Sequence, residues 1–222
     1  MAILRLLKGV FMNRFNVNGR ILLLAAAVGW GLLAAGCGEK DASATGLASF
    51  GMFTDDRDGQ TYKTVKINNQ IWMAQNLNYQ TERDSWCYDN NVDNCKKYGR
   101  LYDWDMAKSV CPKGWHLPSK KEWAEMVGLA GSSTGGAKLK SKSGWKEDGN
   151  GTDDYGFSAL PGGRRGSDGK FRGAGYGYWW TATEYPSGGG NAYYRNMDYN
   201  YGNVYEDYRD KSNGYSIRCV KE

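Results

Sequence analysis

Five cysteines divide this chain of 222 residues, and they constrain its fold more than any other feature. Cys37 stands directly behind the apolar run ILLLAAAVGWGLLAAG of residues 21–36, and a polar stretch comes immediately after it. Cys87, Cys95, Cys111 and Cys219 all lie beyond it. A basic lead (Arg14, Arg20), an apolar centre and small residues before a cleavage point are what export requires. The run is broken by glycine and is short of the ~20 apolar residues of a comfortable membrane span. It therefore reads as a lipoprotein signal over residues 1–36, with Cys37 as the lipidated residue and the membrane as a partner through that anchor. The lipobox Ala34-Ala35-Gly36-Cys37 departs from the usual form, since Leu33 sits one place early.

An even number of cysteines in an exported domain implies disulfides, and four allow three connectivities. The pairing Cys87–Cys95 with Cys111–Cys219 is favoured. The first bridge would close the turn-rich loop YDNNVDN, and the second would tie the middle of the chain to its last strand. No CxxC spacing supports metal-binding thiols.

Removing residues 1–36 also changes the electrostatics. Arg5, Lys8, Arg14 and Arg20 leave with that segment, so a formal charge of +5 falls to +1 over the remaining 186 residues. Nucleic-acid binding calls for a concentrated basic face, so no nucleic-acid partner is expected. Eight Trp and sixteen Tyr lie beyond Cys37, among abundant Gly and Asn. Rings rather than aliphatic side chains must fill the core, which points to a loop-rich domain.

Residues 37–57 are small and polar and read as a flexible tether, with a domain over residues 58–222. TYKTVKI, the turn Asn68-Asn69 and QIWMA predict a β-hairpin. Residues 101–110 predict a short helix. A better one spans residues 119–130, with Ser119 as N-cap, Glu122 completing a capping box, and Trp123, Met126 and Val127 on one face. Residues 131–156 read as loop. From Tyr176 the chain alternates like strands, with turns at PSGGGN, DYNYGN and DKSNG, and residues 214–220 predict a buried closing strand.

Several long segments carry a family resemblance: DGQTYKTVKINNQIWMAQNLNY, SWCYDNNVDNCKKYGRLYDW, CPKGWHLPSKKEWAEM, GFSALPGGRR, YWWTATEY and GYSIRCVK. In this order, from about Asp58 to Lys221, they resemble the Fibrobacter succinogenes major paralogous domain. That resemblance implies an α+β, C-type-lectin-like fold with short helices, a twisted antiparallel sheet and disulfide stabilisation. HLPSKKEW is similar to the R-L-P-T-x-x-E-W element of formylglycine-generating sulfatase-modifying enzymes. The family implies a secreted or surface-anchored module, often on lipoproteins. Gly38 is not the Asp that commonly retains lipoproteins at the inner membrane, so outer-membrane sorting is expected.

Catalytic patterns are weak. His116, the sole histidine, is expected to bond a backbone group near the helix start. Gly131-Ser132-Ser133-Thr134-Gly135 formally matches a nucleophile elbow, but that motif needs a preceding strand and a later histidine. Asp153, Asp154, Glu184, Glu206 and Asp207 could supply a hydrolytic pair, though no spacing singles one out. Asp148, Asn150, Thr152 and Asp154 alternate like the start of a calcium loop without its closing Glu; a structural calcium is the one cofactor these oxygens could hold, and the pattern singles out no metal site. The remaining candidate is a ligand face of planar rings and hydrogen-bonding groups: Tyr178, Trp179, Tyr193, Tyr194, Arg195, Tyr199, Tyr201 and Asn203. Such a face suits a glycan or another envelope protein. The alternatives are an envelope hydrolase using a carboxylate pair and a purely structural spacer.

Overall fold

A computed structural model describes residues 49–187 and 189–221. Cys37, the export segment and the first part of the expected tether lie outside the described residues. The chain opens with Ser49–Thr54 (β1), Thr61–Ile67 (β2) and Gln70–Met73 (β3). Ser85–Trp86 (β4) comes next, then a 3-10 turn at Tyr88–Asn90, helix Val92–Tyr98 (α1) and Leu101–Tyr102 (β5), which pairs with β4. Three helices succeed them: Trp104–Ala107 (α2), Lys120–Ala130 (α3) and Gly135–Leu139 (α4). Arg164–Arg165 (β6) pairs with Phe171–Arg172 (β7). The chain ends with Gly177–Glu184 (β8), Asn191–Met197 (β9), Val204–Asp210 (β10) and Val220–Lys221 (β11). Two antiparallel sheets dominate, ordered β1-β2-β3-β11 and β10-β9-β8. The fold is α+β, and both favoured disulfides, Cys87–Cys95 and Cys111–Cys219, are present.

Local chemistry explains much of this. The β2–β3 hairpin turns on Asn68 at φ 55, a left-handed conformation that Asn tolerates better than most residues. At α3 the Ser119 hydroxyl accepts from the Glu122 amide at 3.2 Å, and the Glu122 carboxylate accepts from the Ser119 amide at 2.7 Å. This is the expected capping box, and Trp123, Met126 and Ala130 form the buried stripe beyond it.

Four expectations need correction. The tether does not run to residue 57, because Ser49–Thr54 pairs in full register with β2. The helix of residues 101–110 is confined to Trp104–Ala107, since Leu101 and Tyr102 are held by β4 and the Asp103 side chain caps α2. The loop of residues 131–156 contains α4, whose paired glycines are poor helix formers. Gly136 is needed there: a Cβ on it would lie 2.4 Å from the Asn203 carbonyl oxygen. Residues 214–220 are buried as expected, but only Val220 joins a ladder. The rest exchange partners residue by residue, Tyr215 bonding Tyr102, Ser216 bonding Tyr178 and Trp180, and Ile217 and Cys219 accepting from Leu77 and Met73.

The core is aromatic, as the composition requires. Trp72, Trp123, Phe157 and Trp179 meet mainly edge-on or tilted on one side of the β8–β10 sheet. Trp180, Tyr194 and Tyr215 pack on the other side, with Tyr102 and Ile217. Between them sits a polar knot. Fully buried Arg218 donates to Asn76 Oδ1 at 2.6 Å, to the Met73 and Phe157 carbonyls, and to the Ser158 carbonyl at 2.8 Å. Asn76 Oδ1 also accepts from Trp179 Nε1 at 2.9 Å, which fixes that indole inward.

Candidate functional site in the tyrosine-rich sheet

In a strand, successive side chains leave opposite faces. The register of β8, β9 and β10 therefore sorts the candidate residues. Trp179, Arg195 and Glu206 stand in one row, with Tyr193 and Tyr208 as the next pair on the same face. That face meets α3. Arg195 is buried, pairs with Glu206 and donates to the Lys120 carbonyl at 3.3 Å. Burial pushes its guanidinium down, with Glu206 opposing the shift. Lys120 bonds Glu206 at 2.6 Å and lies 4.0 Å from the centre of the Tyr193 ring. Tyr185 stacks on Tyr208 at 3.6 Å, with Tyr193 set edge-on to Tyr185.

On the opposite face, Trp180, Tyr194 and Asp207 form a row, and Tyr178, Asn196 and Tyr205 another. Tyr178 stacks on Tyr215 at 5.4 Å. The Tyr194 hydroxyl donates to Asp207 at 3.2 Å, and burial, helped by that carboxylate, pushes its pKa up to about 12. At the β9–β10 turn, Tyr199 packs edge-on against Tyr176, while Tyr201 stands out and its ring meets Tyr205 edge-on. Asn203 is half-buried there, its backbone pressed against Gly136.

The eight expected residues thus do not form one face. Trp179 is a core side chain with no exposure, and Tyr194 and Arg195 are buried, so these three present no contact surface. Tyr178 is half-buried in the Tyr215 stack. Tyr193 belongs to a cluster at one end of the sheet, and Tyr199, Tyr201 and Asn203 lie at the turn joining β9 to β10. Both faces of β8 are covered, one by α3 and the other by residues 214–217, which simple alternation could not reveal. Lys120 is a neighbour of Tyr193 that no local sequence signal identifies, 73 residues away in the chain.

Besides Phe50 of β1, the large exposed rings lie on the hairpin. Tyr201, Tyr205 and Tyr208 are 55%, 40% and 40% exposed. β10 is an edge strand, and Glu206, Asp207, Arg209 and Asp210 stud it with charge, which discourages edge-to-edge self-pairing.

Most of the other candidate groups have structural partners, although the Asp148 and Asp154 carboxylates make no hydrogen bond or ion pair among the described residues. His116 Nε2 meets the Glu122 carboxylate at 2.7 Å, so its ring partner is a side chain rather than a backbone group. The segment Gly131–Gly135 lies between two helices, not after a strand. Asp153 accepts from the Ser158 amide and hydroxyl, Glu184 pairs with Lys211, and Glu206 and Asp207 are engaged as described. In the suspected calcium loop, Asn150 Oδ1 accepts from the Trp145 amide. Among the described residues no group of three or more His, Cys, Asp or Glu is arranged to hold a metal ion. No helix among them is long and apolar enough to cross a membrane. A cavity of about 610 Å³ between Phe50 and Met52 of β1 and residues 153–158 touches none of the expected ligand residues.

These features define a disulfide-bridged α+β domain with an aromatic core and a tyrosine-bearing edge hairpin. The family model of the Fibrobacter succinogenes major domain matches residues 65–221, and the chain belongs to that family. No curated protein and no solved structure shows a significant match.

Proposed function

We propose that this chain is a lipid-anchored, non-catalytic envelope module of C-type-lectin-like fold that binds a glycan through the β9–β10 hairpin. The observation that carries the reading is the pair of exposed rings Tyr201 and Tyr205, set edge-on to each other in the edge hairpin. Exposed rings held on a sheet offer flat apolar faces to sugar C–H surfaces, while flanking Asn and Asp supply hydrogen bonds at modest entropic cost. The fold reading is supported by a loop-rich α+β domain whose last strand returns beside the early hairpin. The anchoring reading rests on the apolar run ending at Cys37, and outer-membrane placement rests on Gly38.

Full-length protein in detergent, presented to an array of envelope polysaccharides, tests the glycan. Retention is expected, and Tyr201→Ala or Tyr205→Ala is expected to weaken it about tenfold, the scale of one lost stacking contact. A flat array, with capture of an envelope protein that is sensitive to the same substitutions, would redirect the reading to a protein ligand. Metabolic labelling with a fatty-acid probe tests the anchor: label should enter the wild type and be absent from Cys37→Ser.

A further inference from the structure

A separate cleft of about 260 Å³ lies beside the loop closed by Cys87–Cys95, away from the tyrosine hairpin. Tyr88, Asp89, Asn94, Tyr98, Lys146 and Gly163 are among the residues that line it.

Three features mark it as built. Asp89 and Asn90 both hold left-handed backbone, at φ 54 and 55, inside a loop pinned by the disulfide and by the Asn94 amide donating to the Tyr88 carbonyl. Non-glycine residues in that region are uncommon, and sites are where such conformations gather. The glycines are also required by contact. A Cβ on Gly163 would come within 2.3 Å of the Tyr88 ring, and one on Gly175 within 2.7 Å of the Lys146 stem. Finally, Tyr88 is braced by Phe171, and Tyr98 by the Lys97 ammonium, so both rings are held without a ligand.

The polar groups are unused. Among the described residues, neither the Asp89 carboxylate nor the Lys146 ammonium makes an ion pair or hydrogen bond, and the Tyr88 and Tyr98 hydroxyls make none either. The cleft therefore offers an anionic acceptor, an amide oxygen, a cationic donor and two phenols on rigid aromatic walls. Its lining holds one carboxylate and one ammonium, so their formal charges balance and no countercharge is called for on the ligand. Closely spaced hydroxyls need both acceptors and donors, and a ring of C–H groups suits aromatic walls. We infer that this cleft is a binding site for a single neutral pyranose unit.

This site stands independently of the tyrosine hairpin, and the two are separable by mutation. Saturation-transfer NMR and titration of full-length protein with methyl glycosides of neutral hexoses supply the test. Binding of at least one is expected, with Asp89→Asn and Lys146→Ala each raising Kd by about tenfold, as for loss of one hydrogen bond to a charged group. Tyr201→Ala should leave this binding unchanged. Both cleft side chains are exposed, and an unchanged near-ultraviolet circular dichroism spectrum confirms folding. Three results would overturn the inference: no neutral glycoside binds, binding is indifferent to both substitutions, or only charged sugars bind.

Discussion

Arg218 places a guanidinium where no solvent reaches it, and no carboxylate among the described residues forms an ion pair with it. Burial pushes its pKa down, to about 9, with the more distant Asp153 opposing. It therefore stays charged at neutral pH and is satisfied by carbonyl and amide oxygens alone. Removing a buried donor leaves its acceptors stranded, at about 1–3 kcal/mol for each group so exposed. Arg218→Met should accordingly lower unfolding free energy by about 3 kcal/mol or more in a urea titration. A loss under about 1 kcal/mol would show that the knot with Asn76 does not fix the core. The same knot explains why strand alternation alone misplaces Trp179. Nothing near it in the chain announces that its indole donates to Asn76, a residue 103 positions earlier. Adjacent Trp179 and Trp180 look like one inward and one outward ring, yet each finds a covering layer.

At the scale of elements, α3 shows what local signals can determine. Its cap, acid and apolar stripe fall within a dozen residues, and the helix begins where they indicate. Ser119→Ala should cost about 1 kcal/mol, as typical for loss of an N-cap. Glu122 adds a pH dependence. Burial pushes its carboxyl up, but the Ser119 amide, the His116 ring and the Ser119 hydroxyl more than offset this, so its pKa lies below the ordinary value. A depressed folded-state pKa contributes stability above the unfolded value of 4.5, which is lost as pH falls through the folded value. Urea midpoints measured from pH 6 to pH 3 should therefore decline less steeply in Glu122→Gln than in the wild type. Equal slopes would place the acid sensitivity elsewhere. By contrast, α4 and β1 are illegible in the sequence because distant chain decides them. α4 depends on Asn203, and β1 is marked off from a polar leader only by distant chain, its pairing with β2 and the packing of Phe53 on Trp115. A chain starting at Asp58 would strip β2 of that partner and should unfold at lower urea than one starting at residue 44.

For the whole molecule, the two bridges differ in reach. Cys111–Cys219 spans 108 positions and Cys87–Cys95 spans 8. In the chain-entropy account, the long closure contributes up to about 4–5 kcal/mol and the short one about 2–3 kcal/mol. Paired Cys→Ala variants, compared by denaturant unfolding, should preserve that order. Cys87→Ala with Cys95→Ala should in addition loosen the wall of the cleft that carries Asp89. The cysteine pattern is readable because it depends on parity and export alone. The binding surface is not, because it depends on which rings the tertiary structure covers. Only Tyr193, Tyr199, Tyr201 and the Tyr178 edge retain exposure among the expected rings, and Tyr205 and Tyr208 carry more of the surface than most of them.

Residues 214–221 hold backbone partners for β3, β5, β8 and the His116 turn, and they bring Tyr215 between Tyr178 and Trp180. A polypeptide made from its N-terminus delivers these residues after every one of their partners. Until they arrive, one half of the core lacks Val220 and the other lacks Tyr215 and Ile217, and the long disulfide has no second sulfur. Contacts of such long sequence separation also slow collapse to the native state. Completion of the native core is thus expected to wait for residues 214–221.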